Sequence, residues 1–172
     1  MLIKPEDKIC SFEEMPELIN GNDGLKRQGH RVVIAQGVFD LLHLGHFQYL
    51  QHAARHGLLV VGLENDLAVG QNKGPTRPIN PLRDRMLAIA ALDSVGLVFG
   101  FSDAPLYSDP DSVNQYIARY RALNSSIAVP NDDPNRDSKV RQAAIAGVDI
   151  VRIPGHYPNS TTQLLQTVGF SE

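Results

Sequence analysis

Short runs of apolar and mostly β-branched residues alternate with segments of helical periodicity along this chain. The apolar runs predict strands at residues 31–35, 58–63, 95–99, 126–129 and 149–153. The intervening periodicity predicts helices at residues 45–56, 82–92, 112–123 and 138–146. Strands that are apolar along their whole length are typical of a parallel sheet covered on both faces. We therefore expect an α/β fold, with a parallel sheet of about five strands and helices on both faces.

Two segments fall outside this alternation. Ser11 and Glu14 have the spacing of a capping box, which predicts a helix from residue 11 to about residue 28 that ends at Gly29. Residues 70–81 contain two glycines and three prolines and are expected to form a loop. Because no repeat or composition shift marks a second domain, we expect a single domain over residues 1–172, with residues 1–29 as a helical extension.

The composition is typical of a soluble globular protein, with 42% hydrophobic residues, 20% charged residues and a net charge of −3. No apolar run approaches the length of a membrane span, and the first residues lack the apolar stretch of a signal peptide. Cys10 is the only cysteine, which fits a reducing compartment. The slightly acidic balance gives no support to nucleic-acid binding. We expect a cytoplasmic protein that binds neither membranes nor nucleic acids.

The strongest chemical pattern lies where the strand at 31–35 leads into the next helix. Residues 32–49 read VVIAQGVFDLLHLGHFQY, and His43 and His46 flank Gly45 at the start of that helix. The unpaired N–H groups and the dipole of a helix N-terminus attract anions, imidazoles add donors, and glycine permits close approach. This turn predicts a phosphate site. A chance HxGH match is one alternative, and metal binding is another, although it would need a further ligand.

Two cations follow in the segment expected to be a loop. Lys73 and Arg77 come after the second strand, at the edge of the sheet where the histidines should lie. Both residue types bind phosphate, and a solvated basic loop is the alternative. Arg83 and Arg85 open the next helix, where the dipole disfavours cations. One of them is expected to face an anion, with plain surface placement as the alternative.

Three aspartates follow strands at the same edge. Asp40 precedes the HxGH turn, Asp66 follows the second strand, and Asp132 follows the fourth. Each could bind Mg²⁺ through water or accept hydrogen bonds from substrate hydroxyls, or could serve only as a cap or turn residue. Near the end of the chain Ser160, Thr161 and Thr162 precede a helix predicted at 163–168. They are either a hydroxyl cap or a second phosphate site.

With these motifs in place, the chain resembles the cytidylyltransferase-like nucleotidyltransferases along nearly its whole length. Within them it is most similar to heptose-1-phosphate adenylyltransferases, in the stretches KICSFEEM, GVFDLLHLGHFQYL, LLVVGLENDLAV and KGPTRPINPLRDRMLAIAAL. The resemblance implies a Rossmann-like fold. It also implies transfer of a nucleotide from a nucleoside triphosphate, ATP as first choice, to a phosphorylated sugar such as heptose 1-phosphate, with release of pyrophosphate. Mg²⁺ would accompany the triphosphate, and a homodimer would be common.

The resemblance also implies roles for individual residues, and it assigns no metal ligand. The catalytic residues that hold the triphosphate and the transferring phosphoryl group would be His43, His46 and Lys73. The residues that bind the nucleotide would be Gly37, Phe39, Gly45, Arg77, Ser160, Thr161 and Thr162. The residues that bind the acceptor would be Asp40, Asp66 and Asp132.

The chain departs from the family pattern at positions near the expected substrates. Val129, Pro130 and Asn131 precede Asp132 where heptose enzymes carry a lysine and two glycines, and Gln36 and Val38 replace an asparagine and a cysteine. Three alternatives therefore stay open. They are a cytidylyltransferase acting on a phosphorylated alcohol such as glycerol 3-phosphate or phosphoethanolamine, a non-catalytic nucleotide-binding protein, and a structural or partner-binding domain.

Overall fold

A computed structural model describes residues 4–106, 109, 111–155 and 167. Within these residues the strands form one sheet, composed of β1 (Ile9–Ser11), β2 (Val32–Gly37), β3 (Leu58–Leu63), β4 (Leu97–Gly100), β5 (Ser126–Pro130) and β6 (Ile150–Ile153). The order across the sheet is β1-β4-β3-β2-β5-β6, and every neighbouring pair is parallel. The predicted α/β class is confirmed, and the sheet contains one strand more than expected.

Six α-helices cover the sheet: α1 (Met15–Asn20), α2 (Leu44–Ala54), α3 (Asp66–Lys73), α4 (Leu82–Ala90), α5 (Ser112–Leu123) and α6 (Arg136–Ala146), all within the described residues. Alternate residues of β2 point to opposite faces, as the pleat of a strand requires. Val33 packs in a core with α2 and α4, and Ile34 packs in a core with α1, α5 and α6. Both side chains are fully buried, and each such burial contributes about 1.5–3 kcal/mol.

The first 29 residues differ from the prediction of one helix. Ser11 and Glu14 do exchange hydrogen bonds, with the Ser11 N–H donating to Glu14 Oε2 at 2.8 Å and the Glu14 N–H to Ser11 Oγ at 3.3 Å. However, the helix that follows, α1, ends at Asn20, and residues 9–11 form β1, which pairs with β4 at the edge of the sheet. A three-residue strand is too short to show a periodicity. This segment therefore completes the sheet and is not simply a helical extension.

The segment expected to be a loop from residue 70 begins as a helix. α3 is capped by Asn65, whose side chain accepts a hydrogen bond from the Ala68 N–H at 2.8 Å, and it continues through Gly70 to Lys73. The glycine obscured the helical pattern. The other predicted strands and helices agree with the observed bounds to within two residues. The helix predicted at 163–168 lies almost entirely outside the described residues.

The topology creates one switch point in the sheet. From β2 the chain builds the sheet outward through β3 and β4, and it then crosses back so that β5 pairs with the other side of β2. In open α/β sheets, ligands bind at the carboxyl ends of the strands beside such a reversal. The turns after β2 and β5 meet there. Within the described residues, no helix combines the length and apolarity that crossing a bilayer requires.

Candidate active site

A cavity of about 490 Å³ opens at the switch point. Its centre is formed by the turn after β2 and the start of α2. One wall, called here the α5 side, contains Glu64, Lys73, Leu106, Asp109, Val113 and Tyr116. A second part of the lining, called here the α6 side, includes Asp132, Asp133, Asn135, Ser138, Lys139 and Gln142. The cavity is therefore lined by the central turn and by two helices, α5 and α6, that pack in the same core.

The two histidines of the HxGH motif lie side by side in the centre of the cavity. His43 is the N-cap residue of α2 and His46 lies in its first turn, and their ring centroids are 3.8 Å apart. The His43 N–H donates to Nδ1 of His46 at 3.4 Å. Because Nδ1 is the acceptor, a neutral His46 ring carries its proton on Nε2. His46 is therefore oriented as a hydrogen-bond donor beside a helix N-terminus.

The charge state of both rings follows from their surroundings. Burial, together with the smaller effects of the nearby charges of His43 and Lys73, lowers the pKa of His46 to about 4. Burial also lowers the pKa of His43. Both imidazoles are consequently neutral at pH 7, and Lys73 supplies positive charge close to His46. Neutral rings can donate hydrogen bonds to phosphate without taking up or releasing a proton.

The turn that carries the histidines is held by close packing. Phe39 adopts a left-handed backbone conformation with φ of 49°, and its buried ring lies 5.3 Å from that of His46, centroid to centroid. A Cβ at Gly37 would lie 3.1 Å from the Phe39 ring, so the glycine permits this approach. The Tyr49 hydroxyl donates to the Ala128 carbonyl at 3.0 Å and thereby ties α2 to β5. Gly37, Phe39 and Gly45, which the resemblance assigns to the nucleotide site, all line the cavity.

Oε1 of Gln36 and Nδ1 of His43 are buried polar atoms of cavity-lining residues, and neither has a hydrogen-bond partner among the described residues. The other polar atom of the Gln36 amide, Nε2, donates to the Tyr120 hydroxyl at 2.8 Å. A buried acceptor without a partner costs about 1–3 kcal/mol, and a ligand that donates to it recovers this cost. Both atoms therefore favour a polar ligand at the centre of the cavity.

Two predicted site residues, Asp40 and Arg77, do not line the cavity. Both are buried and bonded to each other, with Nη2 of Arg77 at 3.0 Å from Oδ2 of Asp40. The Asp40 carboxylate also accepts the N–H groups of Ile79 and Asn80, each at 2.9 Å. The structure therefore does not bring Arg77 or Asp40 to the cavity, and their expected contacts with the nucleotide and the acceptor stay predictions. The pair instead fixes residues 77–80 against the turn that precedes the histidines.

Asp66 also has a structural position. Oδ1 of Asp66 accepts a hydrogen bond from Nη2 of Arg85 at 2.6 Å, and Oδ2 accepts one from the Leu82 N–H at 3.1 Å. The fully buried Arg85 also donates to the carbonyls of Val38 and Glu64. The anion that one of the two arginines was expected to face is thus Asp66, which does not line the cavity and whose assignment to the acceptor stays a prediction. The pair joins the ends of β2 and β3 to α4.

The remaining predicted residues divide between the cavity and the part of the chain left undescribed. Lys73 is the last residue of α3 and lies on the α5 side, and Asp132 lies on the α6 side. Ser160, Thr161 and Thr162 fall outside the described residues. The cavity thus brings together His43, His46, Lys73, Gly37, Phe39, Gly45 and Asp132.

Sequence reasoning missed several cavity residues. Glu64 directly follows β3 at its carboxyl end, and the same rule that pointed to Asp40 and Asp66 could have found it. Val113 and Tyr116 have helical spacing and look like core residues of α5. On the α6 side Lys139 pairs with Asp133, with a distance of 2.6 Å between Nζ and Oδ2. No sequence pattern indicated this pair, because its members face the cavity only through the position of α6.

Part of this chain is similar in sequence to curated proteins. The bifunctional protein HldE of Sulfurimonas denitrificans is 42% identical over 100 residues, which are 58% of this chain and 20% of the relative. HldE of Chromohalobacter salexigens is 44% identical over 100 residues, 56% of this chain and 21% of the relative. The chain therefore spans about a fifth of the length of these curated relatives.

Solved structures share the fold. A lipopolysaccharide core biosynthesis protein from Thermoplasma volcanium is 27% identical, with a TM-score of 0.56 over 75% of this chain and 100% of that chain. Pantothenate synthetase from Thermus thermophilus is 18% identical, with a TM-score of 0.56 over 87% of this chain and 62% of that chain, and shows the fold alone.

The family model that matches the chain covers the site as well as the sheet. It is the cytidylyltransferase-like model, and it matches residues 34–157. This range begins within β2, includes the HxGH turn and both walls of the cavity, and continues past β6. The chain, as its motifs predicted, belongs to the cytidylyltransferase-like family.

Proposed function

We propose that this protein transfers a nucleotidyl group from a nucleoside triphosphate to a phosphorylated sugar and releases pyrophosphate. The observation that carries the proposal is the pair of neutral histidines at the N-terminus of α2, beside Lys73 and at the switch point of the sheet. The resemblance to heptose-1-phosphate adenylyltransferases favours ATP and heptose 1-phosphate as the two substrates. Heptose 1-phosphate is therefore the first acceptor to test.

The chemistry requires positioning and charge stabilisation. An oxygen of the acceptor's phosphate attacks the α-phosphorus of the nucleotide in line, and pyrophosphate leaves with the bonding electron pair. No described cavity residue needs to act as a nucleophile, so no covalent enzyme intermediate is invoked. His43 and His46 would donate hydrogen bonds to the α-phosphoryl oxygens, and Lys73 would balance their charge. Removing one such donor typically lowers the rate about 10²- to 10³-fold.

The nucleotide would occupy the central turn and the α6 side. The N-terminus of α2 is suited to phosphates, and Gly37, Phe39 and Gly45 shape the backbone around it. Asp132 lies on the α6 side, within reach of either a nucleoside or an acceptor that extends there. Ser160, Thr161 and Thr162 are proposed to contact phosphate as the family resemblance implies.

Mg²⁺ is proposed to arrive with the triphosphate. No cluster of three or more His, Cys, Asp or Glu side chains suited to a metal ion occurs among the described residues. Mg²⁺ often binds through phosphates and only one or two carboxylates, and Asp109 and Asp132 in the cavity walls are of that kind. When bound, the ion would neutralise charge on the phosphates.

A pyrophosphate-release panel tests this function. ATP and CTP are each combined with heptose 1-phosphate, glycerol 3-phosphate and phosphoethanolamine. We expect the fastest release from ATP with heptose 1-phosphate. Faster release from CTP with either phosphorylated alcohol would replace this function with the cytidylyltransferase alternative. Tight binding of ATP or CTP without release in any combination would favour the non-catalytic alternative.

A further inference from the structure

A buried ionic cluster that the proposed mechanism does not use lies behind the α5 side of the cavity. Nη1 and Nη2 of Arg119 contact Oε1 and Oε2 of Glu64 at 2.8 and 3.1 Å. Nε of the same guanidinium donates to both carboxylate oxygens of Asp103, at 2.9 and 3.1 Å. The side chains of Arg119 and Glu64 are 2% and 5% exposed, whereas that of Asp103 is 34% exposed.

Aromatic rings fix the guanidinium in place. Its central carbon lies 3.8 Å from the ring centroid of Phe101 and 5.1 Å from that of Tyr116. Tyr116 lines the cavity, so Arg119 supports two cavity residues, Tyr116 and Glu64. With its bidentate contact and its stacking, Arg119 has little freedom to move. Glu64 is consequently held in one orientation at the carboxyl end of β3.

The cluster contains more negative charge than the Arg119 guanidinium can neutralise. Asp103 alone would neutralise the guanidinium, and adding Glu64 leaves one positive and two negative charges. Buried ion pairs are seldom more stabilising than apolar residues of similar volume, so stability does not explain a buried carboxylate at Glu64 in addition to the partly exposed one of Asp103. A position in the cavity wall does offer an explanation. Glu64 lines the same wall as Lys73 and Asp109.

The Glu64 carboxylate can still accept hydrogen bonds. Each of its oxygens has two lone-pair sites, and Arg119 uses one on each. A hydroxyl can donate to the remaining sites. A carboxylate is repelled by Glu64 and Asp109. This wall therefore favours a hydrogen-bond donor, and the donors that a phosphorylated sugar carries are its hydroxyl groups.

We propose that Glu64 is a specificity-determining residue that selects the acceptor by accepting hydrogen bonds from its hydroxyl groups, with Arg119 as its positioning residue. The proposal rests on the proposed function. The acceptor's phosphate lies toward the histidines and Lys73, and its hydroxyl-bearing end lies toward Glu64 on the α5 side. The nucleotide then occupies the α6 side.

The test compares Glu64→Gln with the parent protein. We expect the KM for heptose 1-phosphate to rise about tenfold to a hundredfold, because one charged acceptor is lost. The KM for ATP stays within about twofold, since Glu64 lies outside the proposed nucleotide site. Equal KM values for heptose 1-phosphate in the two proteins would overturn the proposal.

Asp103→Asn is the matched control. It removes the other carboxylate that contacts Arg119, but Asp103 does not line the cavity and the bidentate contact with Glu64 remains. We expect it to lower the Tm and to leave the KM for heptose 1-phosphate unchanged. An equal rise in KM for both variants would reduce Glu64 to a structural role and overturn the proposal. If Glu64→Gln does not fold, the double variant E64Q/R119M removes both buried charges and is measured in the same way.

Binding measurements separate this proposal from the proposed function. The Kd of heptose 1-phosphate is measured by calorimetry with a non-hydrolysable ATP analogue present. Weaker binding to Glu64→Gln without turnover in the parent protein would reject the proposed function and support the role of Glu64. No binding to the parent protein, or tighter binding of phosphoethanolamine than of glycerol 3-phosphate that Glu64→Gln abolishes, would overturn the role of Glu64.

Discussion

His46 is the residue whose chemistry depends most on its surroundings. It lies in the first turn of α2, with its ring 3.8 Å from that of His43, and its pKa is lowered to about 4 mainly by burial. A neutral imidazole has one donor and one acceptor, and the His43 N–H occupies the acceptor. The remaining N–H is then available to a ligand. His46 is therefore expected to stabilise phosphate as a fixed donor and not to exchange protons.

This charge state predicts how stability depends on pH. Between pH 6.5 and about 4 the unfolded chain binds a proton at His46 that the folded protein does not. The free energy of unfolding therefore falls as the pH falls through this window, by up to about 3 kcal/mol, and His43 acts in the same direction. Urea unfolding of the ligand-free protein at pH 7.5, 6 and 5 measures this dependence. The free energy of unfolding of His46→Asn should depend less steeply on pH, and an equally steep dependence would contradict a neutral His46.

Arg77 gives a second prediction that concerns a single residue. Because it pairs with a buried carboxylate, Arg77→Met should lower the free energy of unfolding by about 3 kcal/mol. The KM for ATP should change less than twofold, since Arg77 does not line the cavity. Chemical denaturation and steady-state kinetics check both values. A large rise in the KM for ATP with unchanged stability would show that Arg77 binds the nucleotide after all.

The turn between β2 and α2 is the element that organises the site. Gly37 ends β2, Phe39 turns the chain with a positive φ, and His43 caps α2. The Phe39 ring lies between Gly37 and His46: it fills the space beside Gly37 and also packs against the His46 ring. A change at Gly37 should therefore reach the histidines through Phe39.

Gly37→Ala tests this path. Its methyl group would meet the Phe39 ring at 3.1 Å, so we expect the free energy of unfolding to fall by about 1–2 kcal/mol. We also expect the kcat to change by a larger factor than the KM for ATP. Gly70→Ala is the matched control. Gly70 lies inside α3, where the new methyl group meets only the Arg77 carbonyl oxygen at 3.4 Å, and alanine should stabilise the helix by about 0.5–1 kcal/mol. Equal kinetic effects of the two substitutions would contradict the role of the turn.

The strands and helices differ in how well the local sequence predicts their bounds. β3 and α5 were predicted with their observed bounds, because an apolar run and a helical period each express one local preference. β1 is too short to have a period, and Gly70 hid the last turns of α3. The pairing of Asp40 with Arg77 and of Asp66 with Arg85 depends on which loops the fold brings together. No local pattern expresses such a choice, so the sequence alone did not separate residues that line the cavity from charged residues that pair beside it.

At the scale of the whole molecule, the strand order places the site. Because the order in which strands are added reverses at β2, with β3 on one side and β5 on the other, the turns after β2 and β5 leave a cavity lined by the α5 side and the α6 side. Two substrates that meet at the central turn would contact these two parts of the lining. The histidines lie at the central turn, where the phosphates would react.

Chelation gives a prediction for the whole molecule. EDTA should abolish pyrophosphate release, because Mg²⁺ is proposed to bind with the triphosphate. The Tm of the ligand-free protein should not change, since the described residues contain no group of three or more His, Cys, Asp or Glu side chains that could hold a metal ion. Thermal unfolding with and without EDTA provides the comparison. A lower Tm in EDTA would indicate a resident structural metal instead.

The central claim is that His46 stabilises the transferring phosphoryl group, and one comparison tests it most directly. Pyrophosphate release from ATP and heptose 1-phosphate is measured for the parent protein, for His46→Ala and for His52→Ala, which changes a histidine of the same helix that does not line the cavity. We predict that His46→Ala lowers kcat at least about 10²-fold while remaining folded, and that His52→Ala retains the parent rate. A folded His46→Ala variant that releases pyrophosphate at the parent rate would contradict the claim.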